Sequence, residues 1–210
     1  MMGRKTYSLL SLVLVLGLIS SSYGALIGDF ETGLDSWAAA DAAISQSPTG
    51  ATVGSSAMFV DGPGGWHIDA ILDAKGLRGI LGAPGATISA DITVFPEDIT
   101  SGWMEVEMTI NGQNNDESGP QNNIGWQGLG LQETTRDGQP HTYTWALSDD
   151  LTTAIAGSDD DIWWFELALI SNLDGGSPMK MYVDNIQAVP EPATIALLGM
   201  GGLALLRRRR

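Results

Sequence analysis

Two glutamates one residue apart are the first place where chemistry could reside. Glu105 and Glu107 alternate with Met104, Val106, Met108 and Ile110. On an extended strand both carboxyls then stand on the face opposite the apolar side chains, about 6.7 Å apart over two residues of rise. Two carboxyls at such a separation can serve glycoside hydrolysis, one as acid and one as base or nucleophile. A chain this rich in acids also produces one such pair by chance, so hydrolysis is the lesser reading. The other catalytic sets fare worse. His67 and His141 are the only histidines, and neither lies in a His-Glu-x-x-His motif or beside a Gly-x-Ser-x-Gly turn. Cysteine is absent, which removes thiol catalysis, disulfides and cysteine-rich zinc sites. Gly62-Pro63-Gly64-Gly65 lacks the lysine and following helix of a phosphate loop. The expectation is a protein that is not an enzyme.

Tryptophan offers a different chemistry. There are seven: Trp37, Trp66, Trp103, Trp126, Trp145, Trp163 and Trp164. An indole face attracts the C–H face of a sugar ring, and a neighbouring amide or carboxylate can hold the hydroxyls. Trp103, on the same strand face as Glu105 and Glu107, is the leading candidate for glycan binding. Trp126 beside Gln127, and Trp66 beside His67, follow. Trp145 and at least one of Trp163 and Trp164 are assigned to the core.

The elements that must position these residues are short and alternating. Strands are expected near Leu26, up to Val60, at 86–95, 103–111, 124–132, 141–147, 162–170 and 179–189, with turns at Asp137-Gly138 and Asp174-Gly175-Gly176. Residues 111–123 read as a loop. Asp159-Asp160-Asp161 opens the most hydrophobic run, to Ile170, which reads as a central strand covered on both faces except where Glu166 must find water or a partner. Long helical periodicity is absent, and the spacing argues for an all-β fold, an antiparallel β-sandwich.

The two ends carry addresses. Arg4 and Lys5, the apolar run 9–19 and small residues before Ala25 form a secretory signal peptide over 1–24. At the other end Pro190-Glu191-Pro192 precedes an apolar, glycine-containing run and then Arg207, Arg208, Arg209 and Arg210. Apolar residues followed by cations form a stop-transfer pattern, so a C-terminal apolar helix is expected, although residues 193–206 would extend only about 21 Å. Between the ends, residues 25–189 hold twenty-four acids and four cations, Lys75, Arg78, Arg136 and Lys180, a formal charge of −20. Such a surface disfavours nucleic acid and anionic lipid and leaves cations as partners.

Taken in order, the C-terminal parts resemble the PEP-CTERM sorting signal, which makes 190–210 a sorting segment. The resemblance implies recognition by an exosortase, transient contact with the inner membrane through a transmembrane helix, and delivery to the cell surface or extracellular matrix. A second resemblance lies in the domain at 25–189. Gly28-Asp29-Phe30-Glu31, then Gly33-Leu34 and Trp37, then Gly54-Ser55-Ser56-Ala57, and finally Tyr182-Val183-Asp184-Asn185-Ile186 are similar to jelly-roll, galactose-binding-like carbohydrate-binding modules. That family implies adjacent first and last strands and a structural Ca²⁺ held by Glu31 and Asp184 with carbonyls near Gly54 and Ser55. Laminarinase-like jelly rolls carry three acids as Glu-x-Asp-x-x-Glu, a pattern that the strand at Glu105 lacks. The expected function is non-catalytic binding of extracellular polysaccharide; an adhesive matrix protein without defined sugar specificity is the alternative.

Overall fold

The computed structural model describes residues 24–113, 124–158 and 164–190. Two antiparallel six-stranded sheets face each other across one core. The first is ordered β10 (Pro140–Ala146), β6 (Thr87–Thr93), β12 (Met179–Val189), β4 (Ala57–Gly62), β3 (Ala43–Ser47), with β1 (Ala25–Gly28) also paired to β12. The second is ordered β2 (Ala38–Ala39), β5 (His67–Asp73), β11 (Trp164–Leu173), β7 (Met104–Gln113), β8 (Gly125–Gly128), with β9 (Gln132–Glu133) beside β7 near that strand's start. The first and last strands do lie together, with Ala25 opposite Ala188.

Strand alternation decides which side chains meet. Met104, Val106, Met108 and Ile110 of β7 are fully buried and join Phe165, Leu167 and Leu169 of β11 against Met181, Val183, Ile88 and Ile92 of the other sheet. Trp145 is buried and donates its indole N–H to the Gly130 carbonyl at 2.9 Å, so the ring packs without stranding a polar atom. Strand β11 is central, as its hydrophobicity predicts. Ala168 and Ile170, on the face turned away from the core, are 0% exposed yet lie outside the core cluster.

Two helices escaped the sequence reading. A single turn, α1 (Arg78–Leu81), packs against α2 (Asp149–Ala156) at one end of the sandwich. Ser148 caps α2 by accepting from the Leu151 N–H at 3.2 Å, and Asp149 and Asp150 sit in its first turn, where acids oppose the positive end of the dipole. Its buried residues, Leu151, Thr152 and Ile155, span little more than one turn, too short a repeat to register as periodicity.

One part of the expected architecture is corrected. The C-terminal apolar helix, with its transmembrane role and its transient inner-membrane contact, is not part of the fold: no helix among the described residues is long and apolar enough to cross a membrane. Residues 193–206, on which that expectation rested, lie outside the described residues. Their reach as helix, about 21 Å, falls short of a hydrocarbon layer of about 30 Å. The leader at 1–23, Glu191, Pro192, the four terminal arginines, Asp159-Asp160-Asp161 and Trp163 are likewise outside.

Candidate glycan-binding face

The outward face of the second sheet brings together most of the residues singled out from sequence. Register places them in rows across the strands. Trp126, Asn111, Glu166 and Asp73 form one row, followed by Gly128, Thr109, Ala168 and Ile71. Glu107, Ile170 and Ile68 come next, and then Glu133, Glu105 and Asn172. Trp103 stands two residues before Glu105, on the same face, and Trp66 immediately precedes β5. The middle of the face is therefore a floor of small and aliphatic side chains with carboxylates and amides around it.

Over that floor two indoles meet. Trp66 precedes β5 and Trp126 lies on β8, with β11 and β7 between them, about 14 Å across at ordinary strand spacing, and register also sets them at opposite ends of the face. Their ring centroids nonetheless approach to 6.4 Å, with planes tilted by 60°. The rings must lean toward each other across the two intervening strands. They remain 56% and 39% exposed, and Trp164, at the start of β11, is 39% exposed. Trp164 thus faces solvent rather than core.

Hydrogen bonds fix the polar groups. Glu107 accepts from the Gly130 N–H at 2.6 Å and Glu105 from the Asn172 amide at 3.1 Å. Trp164 donates to Glu166 at 2.6 Å. Burial pushes the Glu166 carboxyl above its ordinary value, with the Trp164 and Asn111 bonds opposing. Trp103 donates to Asp174 at 3.0 Å, which pins its ring at the end of the face. Gln127 turns its amide to the Ile124 carbonyl and is spent locally. Glu133, Glu166, Asn172 and Asp174 were missed as site residues; the strand pairing that gathers them leaves no local mark in sequence.

Trp66 is held from below. Its loop turns at Gly64, where φ is +79° and a Cβ would lie 1.9 Å from the Ser177 carbonyl oxygen. His67 points inward, with Nδ1 3.2 Å from the Gly65 carbonyl and Nε2 2.8 Å from buried Asp69. The Asp69 carboxylate beside Nε2 favours the protonated ring, and the Ser171 hydroxyl also lies 3.2 Å from Nε2. Burial opposes that charge, but Asp69 outweighs it and raises the His67 pKa above 6.5. A raised histidine value stabilises fully below the unfolded pKa and is lost as pH rises through the folded one. As pH rises from about 6.5 through the folded value the melting temperature should fall, and this contribution to the slope should vanish in His67→Gln. Parallel melting curves for the two proteins would contradict this.

Glu31 and Asp184 sit on the opposite sheet's side and close one loop. Glu31 accepts from Ser55 N–H (2.7 Å), Ser55 hydroxyl (2.9 Å) and Ser56 N–H (2.8 Å), which holds its carboxyl below the ordinary range. Gly54, with φ +71°, leaves room for that carboxylate. Asp184 accepts from Thr52 N–H (2.6 Å), Thr52 hydroxyl (3.0 Å) and Val53 N–H (2.8 Å), and its other oxygen from Asn185 N–H (2.7 Å). Calcium needs oxygen lone pairs free of hydrogen-bond donors. Here N–H and O–H groups occupy them, so these residues as arranged do not fit the cation.

The fold resembles that of jelly-roll carbohydrate-binding modules. Among solved structures, the chain is similar to the CBM22-1 xylan-binding domain of Paenibacillus barcinonensis Xyn10C, with TM-score 0.54 and 12% identity over 80% of this chain and 96% of that one. It is also similar to the C-terminal family 22 carbohydrate binding module of Clostridium thermocellum Xyn10B, with TM-score 0.51 and 13% identity over 81% and 94%. At such identities the likeness concerns the fold. Residues 188–210 match the PEP-CTERM protein-sorting motif, so the sorting signal containing Pro190 is present. No curated protein matches the chain.

Proposed function

We propose that this is an exported, non-catalytic protein that binds extracellular glycan on the outward face of its second sheet. The observation that carries the reading is the meeting of Trp66 and Trp126 above an apolar floor, exposed and ringed by carboxylates and amides. Aromatic faces bind sugar C–H surfaces, and the polar rim supplies hydroxyl partners. Likeness to xylan-binding modules supports the fold side of the argument, and the sorting motif supports delivery outside the cell by an exosortase. A hydrolase finds no support in the geometry, since Glu107 is tied to a backbone N–H and Glu105 to an amide.

Gel retardation of the full-length protein in a panel of soluble polysaccharides tests the proposal. At least one polysaccharide should retard the wild type and leave the Trp66→Ala/Trp126→Ala double variant running freely. If none retards the wild type, or the double variant is slowed equally, an adhesive matrix role without sugar specificity replaces this reading.

A further inference from the structure

We propose that the hollow lined by Trp103, Glu105 and Glu133 binds the protonated amine of an amino sugar, so that the glycan taken by this face carries free amino groups. This rests on the glycan-binding reading and names its ligand class. Glu105 and Glu133 are register partners on adjacent antiparallel strands, which sets their Cβ atoms about 4.5–5.5 Å apart. Like charges directly opposite one another are destabilising. Glu105 has only the Asn172 amide, and no described residue bonds the Glu133 carboxylate. The nearest cation along the chain, Arg136, gives its guanidinium to the Ser101 and Gly102 carbonyls at 2.9 and 2.7 Å.

The third wall is aromatic. Trp103 is pinned by Asp174 and presents a ring to the same hollow. An indole face attracts both sugar C–H groups and a cation. A compact ammonium on a sugar ring meets all three walls at once: it neutralises the opposed carboxylates while the ring stacks. A neutral sugar would leave the repulsion in place, and a uronate would add to it. The rest of the face has the same sign. No strand of this sheet contains Lys or Arg, while Asp73, Glu105, Glu107, Glu133 and Glu166 all point outward from it.

The test is calorimetric titration of the full-length protein at about pH 6, where an amino group is charged. The probes are glucosamine hexamer, its fully N-acetylated counterpart and a lysine hexapeptide. The glucosamine hexamer should bind about tenfold more tightly than the acetylated one, with the advantage shrinking as salt is added. Glu133→Gln and Glu105→Gln should each reduce it to the acetylated level, and Asp150→Asn, on α2, should leave it unchanged. Equal affinity for the two hexamers overturns this inference while leaving glycan binding intact, and binding of neither hexamer also overturns it, the broader reading then resting on the polysaccharide panel. If Asp150→Asn weakens binding as much as Glu133→Gln, the attraction is diffuse charge and the hollow has no role. A lysine peptide bound as tightly, with the same dependence on Glu133, would make it a basic-peptide site instead.

Discussion

Asp184→Ala is expected to lower the melting temperature by roughly 10 °C, from a loss of about 3–5 kcal/mol. The carboxylate is 0% exposed, a position that a charge tolerates only with full hydrogen bonding. It accepts four bonds, three of them from backbone N–H groups of Thr52, Val53 and Asn185. Truncation strands those partly buried donors, and each hydrogen bond lost to a charged group costs about 1.5–3 kcal/mol, part of which water repays. Asp91, directly opposite on β6, recovers part of the loss. It already lies 2.8 Å from the Thr52 hydroxyl, whose single hydrogen cannot serve both carboxylates. The backbone amides have no such substitute. Asn185, at φ +50°, then loses the bond that holds it in the left-handed region where β12 shifts register. Thermal unfolding checks this, and a shift of under about 2 °C would show that the loop at 52–56 contributes little.

Trp126→Ala is expected to weaken glycan binding about thirtyfold while leaving the melting temperature nearly unchanged. Truncating a central aromatic anchor typically costs about 2 kcal/mol or more, and 1.4 kcal/mol is tenfold in affinity. Trp126 is an edge-strand residue whose ring is 39% exposed and meets Trp66, so the core does not depend on it. Its removal also strips one of the two rings leaning over the floor at Ala168 and Ile170. Trp145→Ala is the contrast. That ring is buried in the core, and its loss should cost about 3–5 kcal/mol and lower the melting temperature by roughly 10 °C or more. Loss of stability in Trp126→Ala comparable to Trp145→Ala would mean that the outward indoles are structural.

Most strands from β6 onward were legible because period two is a local signal, whereas β2, β3 and β5 (His67–Asp73) were not picked out. The alternation around Glu105 fixed the faces from Met104 to Ile110, although β7 continues to Gln113 through residues that read as loop, and the run at Phe165 identified the central strand. That Glu166 needs a partner was also legible; that the partner is Trp164 was not. At least one of Trp163 and Trp164 reads as core; register places Trp164 on the outward face beyond the end of β5, and Trp163 lies outside the described residues. The site itself was half legible. Trp103, Trp126 and Trp66 were picked out one at a time, but the meeting of Trp66 and Trp126 depends on a sheet order in which neither strand follows the other in sequence. Glu133 was invisible, because a two-residue strand carries no periodicity and its pairing with Glu105 is purely tertiary. The calcium expectation came from the resemblance to jelly-roll modules, carried onto Glu31 and Asp184 by residue type and order. Identity does not reveal that backbone N–H groups, rather than carbonyls, face Glu31 and Asp184.

The central claim, that the outward face of the second sheet is where glycan binds, is tested most directly by following the tryptophan indole N–H signals. The full-length, ¹⁵N-labelled protein would be titrated with glucosamine hexamer and with xylohexaose. Shifts confined to the indoles of Trp66, Trp126, Trp103 and Trp164, with Trp37 and Trp145 unmoved, are the predicted result. Signals that stay fixed at saturating oligosaccharide, or that move only for Trp37 and Trp145, would contradict it.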